Sequence, residues 1–225
     1  MLVIAIDGAC RRNGKPDCVS AGGVYIEQYD DNNTLVLTKA LSNYEVKSTN
    51  QRGELLALLT ALDYVWSAKQ DAMIITDSEY LFNAMTKEWF VGWESREWRT
   101  ASFEPVKNAD LWREIKHAYE KCRGADLDIV FYHIKGHCIP FGKVTANSLL
   151  VKDPTGHALK FEAYKKYDAV CSTTRRETLK EANELSTKNN GYPFDEETLR
   201  KFVVLNTVVD AVATKCVEAA DSLMA

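Results

Sequence analysis

The 225-residue sequence has no excess of positive charge. Its 28 Lys and Arg stand against 32 Asp and Glu, a formal net charge of −4, so no gross cationic field announces a polyanionic partner. Cysteine is sparse and scattered: Cys10, Cys18, Cys122, Cys138, Cys171 and Cys216 include no CxxC pair. That spacing excludes an obvious disulfide framework and predicts reduced thiols. No apolar run approaches the roughly 20 residues needed to span a bilayer. The opening MLVIAI is too short for a secretory core, has no basic start and runs straight into Asp7. Repeats and low-complexity tracts are also missing. A cytoplasmic protein with no membrane partner is the expectation.

What is present is 46% hydrophobic, enough for one substantial core with an added lobe. Residues 2–6 read as a fully buried strand. GGVYIEQ (22–28) and TLVLTKAL (34–41) alternate as half-buried strands around the turn-forming DDNN, giving an antiparallel meander. In the next stretch Leu55, Leu58, Leu59, Leu62 and Trp66 recur at helical spacing, which predicts an amphipathic helix from about Asn50. AMIIT (72–76) is a buried strand, followed by a helix over about 78–89 and an irregular aromatic stretch over 90–107. Asn108 is placed to cap ADLWREIKHAYEKC, which stops at Gly124. LDIVFYHIKG (127–136) is a fifth strand. The expected fold class is α/β: a mixed five-stranded sheet, three strands antiparallel and two parallel, flanked by helices. Residues 138–205 differ in character. They predict a hairpin around DPTG, helices near 158–170 and 174–187, and a break at NNGYPF. A long helix then starts behind Asp195.

Three carboxylates occupy odd places. Asp7 closes the apolar run LVIAID, with Gly8 expected to turn the chain away; Asp77 closes AMIIT. Glu54 shares the stripe of Leu58, Ala61 and Val65, so it faces the sheet. Each has an ordinary reading: a turn residue, an N-cap and a helix-dipole partner. Helix-linked strands run parallel, however, which brings the ends of strands one and four together, and with them Asp7 and Asp77. Acids sharing a pocket hold protons unless cations intervene. Oxygen ligands without His or Cys select Mg²⁺ or Mn²⁺. Two such ions about 4 Å apart form the clamp used in phosphodiester cleavage.

IDGAC, TNQRGE, ITDSEY and IKGH, in that order and spacing, resemble the type 1 ribonuclease H family. The resemblance covers residues 1–137 and the C-terminal helix. It implies a ribonuclease H-like fold and an endoribonuclease that cuts the RNA strand of RNA–DNA hybrids with two Mg²⁺, Mn²⁺ substituting, leaving 5′-phosphate and 3′-hydroxyl ends. It further implies that Asp7, Glu54 and Asp77 bind metal, and that His137 is the mobile-loop histidine. The family's fourth carboxylate follows the pattern N-x-x-x-D-x-x-A. NTVVDAVA (206–213) fits it, which assigns the fourth ligand to Asp210, with Asp168 the runner-up and Asp153 in an expected turn. The catalytic domain then comprises 1–137 and 206–225, and 138–205 is an α+β insertion.

RNA selectivity needs small polar groups near the minor groove. Asn13, Asn50 and Gln51 lie beside two of the acids. The resemblance adds Thr49 and Asn108 as DNA-phosphate contacts, with Lys47 a looser match. Trp89, Trp93 and Trp98, interleaved with Lys87, Arg96, Arg99 and Lys107, suit a nucleic-acid channel, and Trp93 is a candidate substrate contact. Trp112 reads as core. The insertion holds 11 basic and 9 acidic residues, so it is no cationic tether. It could cover the hybrid, contact a partner such as a replication protein, or brace the fold. Two rival functions stand: a catalytically silent hybrid-binding module, and a superfamily nuclease acting on DNA. With the first strand opening at residue 2, no separate hybrid-binding domain is expected ahead of it.

Overall fold

A computed structural model describes residues 1–136, 183–185, 187–191, 194 and 196–223. The elements are β1 (Leu2–Arg11), β2 (Val19–Tyr29), β3 (Leu35–Val46), α1 (Asn50–Ala68), β4 (Ala72–Thr76), α2 (Glu79–Thr86), α3 (Trp89–Glu94), α4 (Ala109–Arg123), β5 (Ile129–His133) and α5 (Glu196–Ser222). The five strands form one sheet in the order β3-β2-β1-β4-β5. β2 is antiparallel to both β1 and β3. β4 is parallel to β1 and to β5, the mixed sheet that the sequence predicts. No described helix is long and apolar enough to cross a membrane.

The two faces of the sheet follow from the period-two alternation of β1. Leu2, Ile4 and Ile6 pack on one side with Val24 and Ile26 of β2 and with Leu55, Leu58, Ala61, Leu62 and Val65 of α1. Val3 and Ala5 lie on the other side with Tyr25, Ile75, Ile134 and Phe202, Leu205, Val208 and Val209 of α5. Asp7 is next in the Val3–Ala5 series, so its side chain leaves the sheet toward α5. Trp112 of α4 is fully buried among the α1-side residues, as expected.

Several boundaries differ from the expectations. β1 does not stop at Asp7. Gly8, Ala9, Cys10 and Arg11 stay in register with Gly22, Ala21, Ser20 and Val19 of β2, because the antiparallel partner continues after the parallel pairing with β4 has ended at Ala5–Ile75. β3 runs to Val46 for the same reason. The helix expected over 78–89 breaks at Glu88, whose φ of 45° is left-handed, and α3 begins afresh. Asn108 precedes α4 but makes no side-chain cap, because it too is left-handed (φ 56°). Its amide instead donates to Gln51 Oε1 at 3.2 Å. Cys10 is bonded to Cys18 across the β1–β2 hairpin. This corrects the expectation of reduced thiols throughout: a spacing of eight says nothing of a pairing that hairpin closure creates. The expected hairpin, the helix over 158–170 and the first part of that over 174–187 lie outside the described residues, as do Asp153, Asp168, Asp195 and His137. Residues 183–185 and 187–190 are helical, so the second helix runs into the expected break at NNGYPF.

Candidate active site

The crevice opens where β1 and β4 part company. Their parallel register ends at Ala5–Ile75; continued by two residues, it sets Asp7 opposite Asp77. This is the carboxyl end of parallel strands, where ligands of open α/β sheets bind. Asp77 follows β4 directly and precedes Ser78. The Ser78 side chain caps α2 by accepting from Leu81 N, so the capping role expected of Asp77 belongs to its neighbour. Gly136 backs onto the Asp77 carboxylate, and a Cβ there would overlap it.

Glu54 arrives from the α1 side. Thr49 caps α1, its hydroxyl accepting from Arg52 N at 3.4 Å, a device that contributes about 1 kcal/mol. The first turn sits hard against β1: Gly8 lies where any Cβ would come within 2.5 Å of Glu54 N. The carboxylate accepts from Ser78 Oγ at 2.7 Å and from Asn50 Nδ2 at 3.3 Å. Sequence reasoning missed Ser78. Its capping position was readable in ITDSEY, but its reach to another helix was not.

Asp210 comes from α5 on the opposite face. The partner of Asp7 in β2 is Gly23, and over Gly23 the helix backbone descends directly. A Cβ there would stand 2.8 Å from both Val209 O and Ala213 N. Only glycine lets α5 approach this closely. Val208 and Val212, which flank Asp210, are buried.

Charge ties the four together. The Asp7 side chain is buried, and its pKa is raised well above the usual carboxylate range. Burial is the largest cause; the charges of Asp77, Asp210 and Glu54 add to it, and a 2.6 Å hydrogen bond from Gly8 N opposes it. The Glu54 pKa is raised too, by burial first and by Asp77, while the Ser78 hydroxyl holds it down. An acid destabilised by three other acids is the electrostatic signature of a site that needs cations. Among the described residues no three acids, histidines or cysteines close into a ready-made metal cage. The donor set is nonetheless all oxygen, which suits Mg²⁺, an ion that keeps several waters and is bound through few protein carboxylates.

Two of the expected substrate contacts are tied to Glu54 by hydrogen bonds. Asn13 Oδ1 accepts from Asn50 N at 3.4 Å, so Asn13, Asn50 and Glu54 are linked in series. Gln51 is joined to Asn108. Arg52, not singled out from sequence, holds Glu45 and Asp110 at 2.6–3.0 Å. Trp93 lies further out in an aromatic group, its ring 6.1 Å from Trp89, 6.4 Å from Trp98 and 5.3 Å from Trp112. Lys47, left-handed at φ 55°, is exposed at the end of β3.

Comparison with known proteins gives the family and the fold. The family model for RNase H matches residues 1–149. A ribonuclease H of Chromohalobacter salexigens is 37% identical over 148 residues, covering 66% of this chain and 80% of that protein. One from Alcanivorax borkumensis is 35% identical over 148 residues, covering 66% and 87%. Among solved structures, LC9-RNase H1, described as a type 1 RNase H with the type 2 active-site motif, superposes with a TM-score of 0.51 at 23% identity, over 60% of this chain and 63% of that one. That likeness concerns the fold. α5 lies beyond the span matched by the family model.

Proposed function

The chain belongs to the ribonuclease H family and is an enzyme of that family, and from this premise we propose that it is an endonuclease that hydrolyses the RNA strand of RNA–DNA hybrids with two divalent metal ions, leaving 5′-phosphate and 3′-hydroxyl ends. The observation that carries the mechanism is the electrostatics of Asp7, a buried carboxylate surrounded by Asp77, Asp210 and Glu54.

Asp7, Glu54, Asp77 and Asp210 would hold the metal. Mg²⁺, with Mn²⁺ as substitute, supplies an activated water and charge neutralisation at the attacking and leaving oxygens. The chain supplies the rest. Asp7, central among the four, would contribute to holding both ions, and Glu54, Asp77 and Asp210 would complete the set. Ser78 and Asn50 keep the Glu54 carboxylate aimed into the crevice and favour its ionised form. Asn13, Asn50 and Gln51 present the amide donors and acceptors that distinguish a 2′-hydroxyl. Thr49 and Asn108 face the DNA strand, and Trp93 flanks the bound hybrid. His137 assists proton transfer or product release. Since 1–137 hold 16 Lys and Arg against 20 Asp and Glu, two divalent ions neutralise the four acids and make the surface far less repulsive to phosphate. Hybrid binding should therefore weaken without metal and be strongly salt-dependent.

A labelled hybrid incubated with Mg²⁺ tests this reading. Cleavage confined to the RNA strand, with 5′-phosphate ends, is expected, and Asp77→Asn should abolish it. Intact hybrid with retained binding would favour the silent module; cutting of duplex DNA would favour the DNA-acting rival. A phosphorothioate at the scissile phosphate that left the Mg²⁺-dependent rate unchanged would remove the two-metal mechanism.

A further inference from the structure

Just before α5, the chain reaches back to the far edge of the sheet. β5 is the outer strand beside β4, so among the described residues one side of its backbone has no neighbouring strand. At His133 that side is filled by one side chain. Asn190 Oδ1 accepts from His133 N at 2.9 Å, and Asn190 Nδ2 donates to His133 O at 2.9 Å. A single amide thus imitates the next strand of the ladder. Its neighbour Asn189 meets the imidazole, with Nδ2 2.7 Å from His133 Nδ1. On the other side of the ring, His133 Nε2 lies 3.1 Å from the backbone carbonyl of Asp77. That oxygen can only accept, so Nε2 carries the proton; in the neutral ring Nδ1 is then the acceptor, and Asn189 must donate to it. The relay is complete from Asn189 through the ring to the peptide that carries the Asp77 carboxylate. Further along, Phe194 packs edge-on against Tyr132 of β5 and Phe202 of α5, at 5.1 and 5.0 Å between ring centres.

We infer that Asn189 and Asn190, acting through His133, are positioning residues for Asp77. The inference rests on the reading of Asp77 as a metal-binding carboxylate. The β4–β5 pairing stops at Thr76–His133, so Asp77 lies just past the end of the ladder, and there the imidazole grips its carbonyl. Hydrogen-bonded partners of this kind orient metal-binding side chains, and losing one costs about 10- to 100-fold in metal affinity or activity.

The test is Mn²⁺ titration calorimetry without substrate, together with steady-state kinetics on a labelled hybrid, for the full chain and its Asn189→Ala, His133→Leu and His133→Gln variants. Asn189→Ala and His133→Leu should weaken Mn²⁺ binding and lower kcat by about 10-fold or more, with KM for the hybrid little changed. His133→Gln should recover most of both, because its amide N–H can reach the Asp77 carbonyl. A purely structural ring would favour the apolar Leu instead. Wild-type Mn²⁺ affinity and kcat in folded Asn189→Ala, or Gln performing no better than Leu, would overturn the inference. Asp77→Asn is run alongside. If it keeps full Mn²⁺ affinity and activity, it is the reading of the site that fails, whatever the His133 variants do.

Discussion

Replacing Asp7 with asparagine should make the metal-free protein more stable while abolishing cleavage. The substitution is nearly isosteric, and the new amide oxygen can still accept from Gly8 N, 2.6 Å away in the present structure. What it removes is a charge that burial, Asp77, Asp210 and Glu54 all disfavour. The folded-state pKa of Asp7 lies above its ordinary value of 3.8, so its contribution to stability is fully present below about pH 4. It is lost as pH rises through the raised folded value. The Asp7→Asn variant has no such loss. For every tenfold by which the site strengthens proton binding to Asp7, the variant gains about 1.4 kcal/mol at neutral pH. A chain of this length moves about 2–4 °C in Tm per kcal/mol. Other acids run the opposite way: the pKa values of Glu45 and Asp110 are lowered by hydrogen bonds from Arg52, and that of Asp221 by Arg12. They are common to both proteins, so the difference in Tm between variant and wild type isolates Asp7.

The assay is thermal unfolding by circular dichroism in EDTA, from pH 4.5 to 8. The variant's advantage should grow with pH and shrink toward zero at the acid end. Mg²⁺ at about 100 times its Kd should stabilise the wild type by about 2.7 kcal/mol, cutting the variant's advantage by that amount, and should do little for the variant. An Asp7→Asn protein less stable than wild type at pH 8 without metal, or an advantage independent of pH, would show that Asp7 is not repelled by its neighbours.

Gly23→Val drives a side chain into the backbone of α5 at Val209 and Ala213. It should cost about 1–3 kcal/mol and lower activity beyond that loss, read as reduced kcat in protein still folded by circular dichroism. Ser78→Ala removes the α2 cap, worth about 1 kcal/mol, and the hydroxyl that holds the Glu54 pKa down; the acid limb of the pH–rate profile should move to higher pH. Reduction of Cys10–Cys18 opens an eight-residue separation and should cost about 2–3 kcal/mol by the chain-entropy estimate, seen as a lower Tm in reductant. Of the described cysteines, only the half-buried Cys216 should react with thiol reagents before reduction, because Cys122 is buried and burial pushes its thiol pKa up.

What could be read from the sequence was whatever a local period or punctuation mark encodes. Leu55, Leu58 and Leu62 announce α1 because one face of a helix must be apolar to sit on a sheet. Glu54 is conspicuous for leading that same face, and Asp77 for ending a buried strand. Asp210 stands out in NTVVDAVA, a motif whose own valines are buried. Partnerships between distant segments were hidden. β1 passes Asp7 because β2 is beside it, and Gly22 and Gly23 do not say in advance which strand or helix they will meet. The disulfide, the Ser78–Glu54 bond and the Asn189–His133 contact are likewise products of closure, with no pattern around either partner to announce them.

Closure also explains how Asp210 can be brought near Asp7 from so far along the chain. Sixty-two residues, 134–195, separate β5 from α5. The closure penalty grows only with the logarithm of length, so 62 residues rather than about ten add no more than about 1.5 kcal/mol. Burying one Val, Leu or Phe contributes about as much or more. α5 buries Leu199, Phe202, Leu205, Val208, Val209 and Val212, so docking outweighs the longer tether several times over. Apolar burial does not fix register along the sheet, however; a helix could slide by a turn and still hide its valines. Polar pins at both ends prevent that. Lys201 Nζ lies 3.1 Å from the buried Glu27 of β2, and Asp221 is held by Arg11 and Arg12 at the end of β1. Between them the close approach at Gly23 admits only one seat. A slide of one turn would carry Asp210 about 5.4 Å along the sheet, beyond reach of a site centred on Asp7. The chain length can therefore vary widely between β5 and α5, whereas the two pins and the glycine cannot change without moving a carboxylate.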